Sequence, residues 1–174
     1  MQFIPLTLDH LPRVIEIVAT ARAYLARQGL DQWQDGYPHE SDLRADIEAG
    51  DLYGILDDDG MLMACCAVVF GGDPTYDVIH DGAWQTDRAY AAVHRVAVDN
   101  SRVRRGYASR MFEGAKALAE ARGLSALRID THPGNIPMQS TLQKNGFVRC
   151  GTVILPGDPA VRGSRERVGF EKDW

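Results

Sequence analysis

HRVAVDNSRVRRGYASRMFEGAKALA, residues His94–Ala119, is the stretch whose reading decides the fold. It continues the run YAAVHRVAV (Tyr90–Val98), which is apolar on both faces, as a strand covered on both sides must be. A short basic turn follows, and a helix opens near Gly106, with Ala108, Met111, Phe112, Ala115, Leu118 and Ala119 on one side and Gly123 at its end. The first amides of a helix have no internal acceptor, and the helix dipole adds positive potential there. Small residues at Gly106 and Ala108 let an anion approach the backbone, and Arg104 and Arg105 can add charge-assisted bonds. The turn therefore suits a pyrophosphate. It lacks the G-x-x-x-x-G-K-[ST] of a P-loop, and a single glycine opens the helix where a dinucleotide fingerprint needs G-x-G-x-x-G. A solvated arginine-rich turn before an ordinary helix remains the other reading of the turn alone.

Working outward, Leu11, Val14, Ile15, Val18, Ala21 and Leu25 recur at helical spacing, with Thr7 or Asp9 as N-cap and Gly29 beyond the end. A second short helix runs from Asp42 to Ala49 and stops at Gly50. LYGIL and MLMACCAVVF, separated by Asp57-Asp58-Asp59-Gly60, form a hairpin. Gly71–Arg88 has no periodicity and reads as a long surface excursion of the functional or mobile kind. Downstream come the strand ALRID, the short helix IPMQSTLQKN ended by Gly146, the strand FVRCGTVIL and a last strand near Arg167–Phe170. This order predicts one domain over 1–174 of mixed α/β (α+β) class, a sheet with helices on both faces.

Composition narrows the function. A net charge of −5 provides no global basic field for nucleic acid, although arginines cluster at 102–110 and 162–167. No apolar run approaches the roughly 18 residues of a bilayer span, and the N-terminus has no secretory pattern. Cys65, Cys66 and Cys150 have no C-x-x-C partner and no zinc-ligand spacing. Vicinal Cys65 and Cys66 would point to opposite faces of a strand. A cytoplasmic protein with free thiols, no metal and no membrane partner is expected.

A second constellation lies in LRIDTHPGNIPMQSTLQKNGFVRCG, where an asparagine follows a strand end and a short helix leads to Gly146-Phe147. HRVAV, RRGYAS, RIDTHPGN and KNGF, in this order and separation, resemble the GNAT superfamily of N-acetyltransferases, most clearly over Val93–Gly151. The resemblance implies a central, mostly antiparallel twisted sheet with splayed fourth and fifth strands, acetyl-CoA as acyl donor, a small-molecule or peptide amine as acceptor, and a possible homodimer. It also implies that Arg104, Arg105, Gly106, Tyr107 and Ala108 form the pyrophosphate loop, that backbone groups of Val96 and Val98 pair with pantetheine, and that Asn135 sits beside the arm. Lys144 is a further candidate for a phosphate, against the plain reading of a solvated helix lysine. Two positions depart from the family pattern. Val103 occupies the motif's leading Gln or Arg position, and Leu142 stands where many relatives place a tyrosine acid. That second departure keeps open a CoA-binding sensor or regulatory module without turnover.

Acyl transfer to an amine needs a proton acceptor, a donor for the carbonyl oxygen and an exit for the thiolate. A backbone N–H near Val96 is the candidate oxyanion donor. His94 is the first candidate base, because an imidazole titrates near ~6.5; a core histidine satisfied by hydrogen bonds is the alternative. His132 and Asp130, at the end of the following strand, are the other candidate proton carriers, with Asp130 also able to orient a histidine or cap the turn. Tyr107 is a weaker candidate acid, and Cys150 reads as packing. Trp33, Trp84, Asp77, Asp81 and His80 suggest a cationic or aromatic-contacting acceptor, although turn formation and local packing explain them equally.

Overall fold

A computed structural model describes residues 1–99, 106–157 and 165–174. The described strands are β1 (Gln2–Pro5), β2 (Leu52–Leu56), β3 (Leu62–Phe70), β4 (Ala91–Val98), β5 (Ala126–Thr131), β6 (Val148–Ile154) and β7 (Glu166–Asp173). The helices are α1 (Leu11–Arg27), α2 (Glu40–Ala49), α3 (Tyr107–Glu120) and α4 (Ile136–Lys144). The strands form one sheet in the order β1-β2-β3-β4-β5-β7-β6, antiparallel throughout except for the parallel pair β4–β5. The mixed α/β class and mostly antiparallel sheet expected from the sequence are what the chain forms.

Alternation assigns each face. On one side Leu11, Val14, Ile17 and Val18 of α1 and Leu43 and Ile47 of α2 pack over Leu52, Cys65, Ala67 and Ala97. On the other, Met111, Phe112, Ala115 and Ala119 of α3 and Leu142 of α4 cover Cys66, Val68, Val93, Leu127 and Ile129. Cys65 and Cys66 thus serve opposite cores, and burial pushes the Cys65 thiol up to about 12, which leaves it inert. Strand β1 has no counterpart in the sequence reading. It is only four residues long and is held by tertiary contact, Phe3 stacking on Tyr53 at 5.3 Å and lying over Gly114, where any Cβ would meet its ring at 2.4 Å.

Parallel pairing between β4 and β5 is confined to Ala91↔Leu127 and Ala92↔Arg128. Beyond Ala92 the strands part, as the family resemblance implies. Strand β4 also carries a bulge. Cys65 pairs with Ala97 and Ala67 with His94, so two residues, Arg95 and Val96, oppose Cys66 alone. Arg95 adopts φ +53°, a left-handed conformation that costs a non-glycine residue on the order of 1–3 kcal/mol.

The excursion between β3 and β4 is docked along its length. The amides of Gln85 and Thr86 donate to the buried carboxylate of Glu171, which also accepts from Arg128 Nε at 3.2 Å. The Arg128 guanidinium lies between the rings of Trp84 (4.4 Å) and Tyr90 (4.0 Å). His80 exchanges backbone bonds of 2.8 Å with Thr152, and Trp84 donates its indole N–H to the Tyr76 carbonyl. Trp84 and His80 are therefore anchors of this segment. Glu171→Ala would strand the Arg128 charge and free the segment, so it is expected to cost about 3–5 kcal/mol in urea unfolding.

Candidate active site

Where β4 and β5 part, a cavity of about 830 Å³ opens. It runs from Ala108 in the first turn of α3 along Val98, Val96 and His94 of β4 to Asp130 of β5. The connection between α1 and α2, with Trp33 and Tyr37, walls one side, and Arg165 and Arg167 close another. Trp33 lines it, whereas Asp77, His80, Asp81 and Trp84 do not.

At one end, Gly106 is the N-cap of α3 with φ +77°, and a Cβ added there would meet no atom within 4 Å. A side chain at this position would be strained in φ, though sterically open. By helix geometry the amides of Tyr107, Ala108 and Ser109 have no acceptor within α3, whose first full turn closes from Arg110 N–H to Gly106 O. Tyr107 offers only its backbone here. Its side chain is buried in the α3 core, which removes the hydroxyl as an acid. Arg104 and Arg105 lie outside the described residues. Lys144 is exposed in the last turn of α4 and does not line the cavity. Asn135 does line it. Its side chain caps α4 by accepting from Met138 N–H at 3.3 Å and donates to Gln32 Oε1 at 3.4 Å.

At the inner end, His94 Nε2 lies 2.9 Å from Asp73 Oδ2. Asp73 Oδ1 accepts from Thr75 N–H at 2.7 Å, so the residue that caps the one-turn helix Pro74–Tyr76 also holds the imidazole. The His94 hydrogen bond draws the Asp73 carboxyl down to about 2 against the opposing effect of burial. Behind the dyad, Tyr76 donates to Asp130 Oδ2 at 2.8 Å, and Arg167 Nε stands 3.9 Å from Asp130 Oδ1. Burial raises the Asp130 carboxyl above its ordinary value although the Tyr76 bond and the charges of His94 and Arg167 oppose this. Burial, with Asp130 adding to it, holds the Tyr76 phenol well above its ordinary value and hence protonated.

His132 does not join this group. Its Nε2 is 3.0 Å from Asp31, its Nδ1 accepts from Gly134 N–H at 2.9 Å, and it does not line the cavity. Both ring nitrogens hold neighbouring turns together. Leu142 is fully buried in the α3–α4 core, so this helix presents no acid at that position. Asp73 and Tyr76 were missed by sequence reading. Asp-Pro is visible as a capping signal, but nothing in an aperiodic segment indicates that it returns to His94.

The model of the acetyltransferase (GNAT) family matches residues 17–147. The chain belongs to this family of acetyltransferases. A GNAT-family acetyltransferase from Streptococcus agalactiae is 34% identical and superposes with a TM-score of 0.86 over 99% of this chain and 95% of that one. The PaiA N-acetyltransferase of Thermoplasma acidophilum, solved in complex with coenzyme A, shares the fold at 14% identity, with a TM-score of 0.69 over 99% of this chain and 98% of that one. No curated protein matches the sequence.

The dyad yields two measurable expectations. Asp73→Asn is expected to lower kcat of acetyl transfer by about 10–100-fold, with KM for the acyl donor little changed, in steady-state assays. The depressed Asp73 carboxyl also stabilises the fold above pH 3.8 and loses that contribution as pH falls towards about 2. The difference in melting temperature between the parent and Asp73→Asn should therefore shrink across that window.

Proposed function

We propose that this acetyltransferase moves an acetyl group from acetyl-CoA to a primary amine by direct attack in a ternary complex. The observation that carries the reading is the His94–Asp73 dyad at the inner end of a slot that begins at the first turn of α3. The slot fits the donor. Its mouth offers helix amides to a pyrophosphate, and Val96 and Val98 present a strand edge that no β5 residue pairs among the described residues. A fold relative crystallised with coenzyme A supports this use of the fold. The phosphate-binding roles of Arg104, Arg105 and Lys144 belong to the same proposal.

The thioester supplies an electrophilic carbonyl and a competent leaving group. An alkyl ammonium has a pKa near ~10, so it must lose a proton before it can attack. Asp73 accepts from Nε2–H of His94, which fixes the neutral tautomer and leaves Nδ1 to take that proton, directly or through water. The amine nitrogen then bonds to the carbonyl carbon, and the oxyanion is held by a backbone N–H of the β4 bulge around Val96. Collapse breaks the C–S bond, and the surplus proton of the attacking nitrogen passes to the departing CoA thiolate or to water, which leaves CoA and the acetamide. The Tyr76 ring packs against the imidazole, with centroids 5.8 Å apart, and its hydroxyl bonds Asp130 behind it. A CoA-binding module without turnover would have no use for a carboxylate-held imidazole at the slot's inner end.

Calorimetry with acetyl-CoA, then CoA-release assays across alkyl amines, polyamines, amino acids and peptide N-termini, tests the proposal; no binding at millimolar acetyl-CoA would reject it. Gly106→Glu, which strains φ and adds a like charge at the phosphate end, is expected to raise the acetyl-CoA dissociation constant at least ~10-fold. His94→Ala should lower kcat ~100-fold or more while leaving that constant within about twofold. Unchanged turnover would remove His94 from the mechanism.

A further inference from the structure

The β4 bulge is built on an arginine where a glycine would be cheapest, and that arginine is held from outside the sheet. Arg95 donates from Nε to Asp46 Oδ2 at 2.6 Å and from an Nη to Asp46 Oδ1 at 2.5 Å. Its other Nη donates to the Tyr37 hydroxyl at 2.6 Å, and the guanidinium lies 5.9 Å from the centre of the Tyr37 ring. Asp46 is buried on α2, and Tyr37 belongs to the connection walling the cavity. Burial alone would lower the pKa of Arg95, but the Asp46 and Tyr37 interactions raise it overall, so the group stays charged.

The bulge has a definite geometric consequence. His94 pairs with Ala67 and Ala97 pairs with Cys65, all on the α1–α2 side of the sheet, although three residues separate His94 from Ala97. Strict alternation would put residues three apart on opposite faces. The extra residue resets the parity, so His94 can face the cleft while Val96 and Val98 still pack towards α3. The peptide units that change direction are those of Arg95 and Val96, next to the dyad and opposite the missing β5 partner.

We infer that Arg95 and Asp46, with Tyr37, are positioning residues for acetyl transfer: their side-chain clamp holds residue 95 left-handed and thereby aims the Val96 amide at the acyl carbonyl. This inference rests on the proposed acetyltransferase site. The guanidinium acts through the backbone, and Tyr37 ties the same bulge to the wall of the acceptor cavity. A bidentate charged bond to a buried carboxylate offsets a conformation that strands and β-propensity both resist.

The test compares two pairs of substitutions that each remove both buried charges. Asp46→Asn with Arg95→Gly leaves residue 95 free to adopt the left-handed conformation unaided; Asp46→Asn with Arg95→Ala does not. Using acetyl-CoA and the best acceptor of the amine panel, the alanine pair should lose ~100-fold in kcat, with KM for acetyl-CoA within about twofold. The glycine pair should recover at least ~10-fold of that loss. Equal losses in the two pairs would show that the guanidinium itself is used, and would overturn the inference while leaving the acetyltransferase reading intact. Parent-like kcat in the alanine pair, or failure of both pairs to fold by circular dichroism, would also overturn it. Absence of any turnover by the unaltered protein overturns the inference together with the reading beneath it.

Discussion

Among the described residues two pairs join β4 to β5, and the cavity exists because the joining stops there. A buried strand whose N–H and C=O groups lack a neighbour is costly unless something else satisfies them. A bulge three residues further on bends and twists β4, while β5 stays paired with β7 along its length. The gap that results is lined on one side by peptide groups and ends at a helix N-terminus. On the proposed function, a ligand that carries amides along an extended arm and a diphosphate at its end answers both needs at once, and the donor is recognised through unsatisfied backbone more than through side chains.

The inner end of the cavity is organised differently, by buried charge. The long segment after β3 would be an ordinary loop if it were not fastened to Glu171 and Arg128 at its far end. That fastening returns Asp73 to His94 and Tyr76 to Asp130, groups 21 and 54 positions apart in sequence. Two carboxylates near one imidazole are driven in opposite directions: Asp73 downward by its bond to His94, Asp130 upward by burial. One carboxylate is thus held ionised against the ring, while burial works against ionisation of the other. Environments that separate neighbouring titrations in this way are typical of sites that move protons.

The sheet and the helices were legible because they rest on periodicity and on local turn chemistry. Tyr90–Val98 is apolar on both faces because α1 and α3 cover it from opposite sides, and the glycines at 50 and 106 mark helix boundaries by their left-handed backbone. What escaped reading is what depends on long-range return. Strand β1 is too short to show a period. The bulge leaves no mark in HRVAV, since its cause, Asp46, lies 49 positions away on another helix. Trp84, His80 and His132 looked functional because aromatic and imidazole side chains outside regular elements often are, whereas here they hold loops against the sheet. Their partners, not their types, decide the matter.

Leu142 follows from the same distribution of effort. Turned into the α3–α4 core and fully buried, it cannot be exchanged for an acid without opening that core. Acetyl transfer tolerates this asymmetry. A thiol ionises near ~8.5 and an alkyl ammonium near ~10, so at neutral pH the thiolate leaves unaided more readily than the amine sheds its proton. On the proposed function, with an amine as acceptor, the harder proton transfer lies on the amine side, where His94, Asp73, Tyr76 and Asp130 stand together. On the proposed function, a well-held base without a dedicated acid suffices for this reaction once the oxyanion donor is fixed, so the position of one backbone amide in β4 matters more than an acid at residue 142.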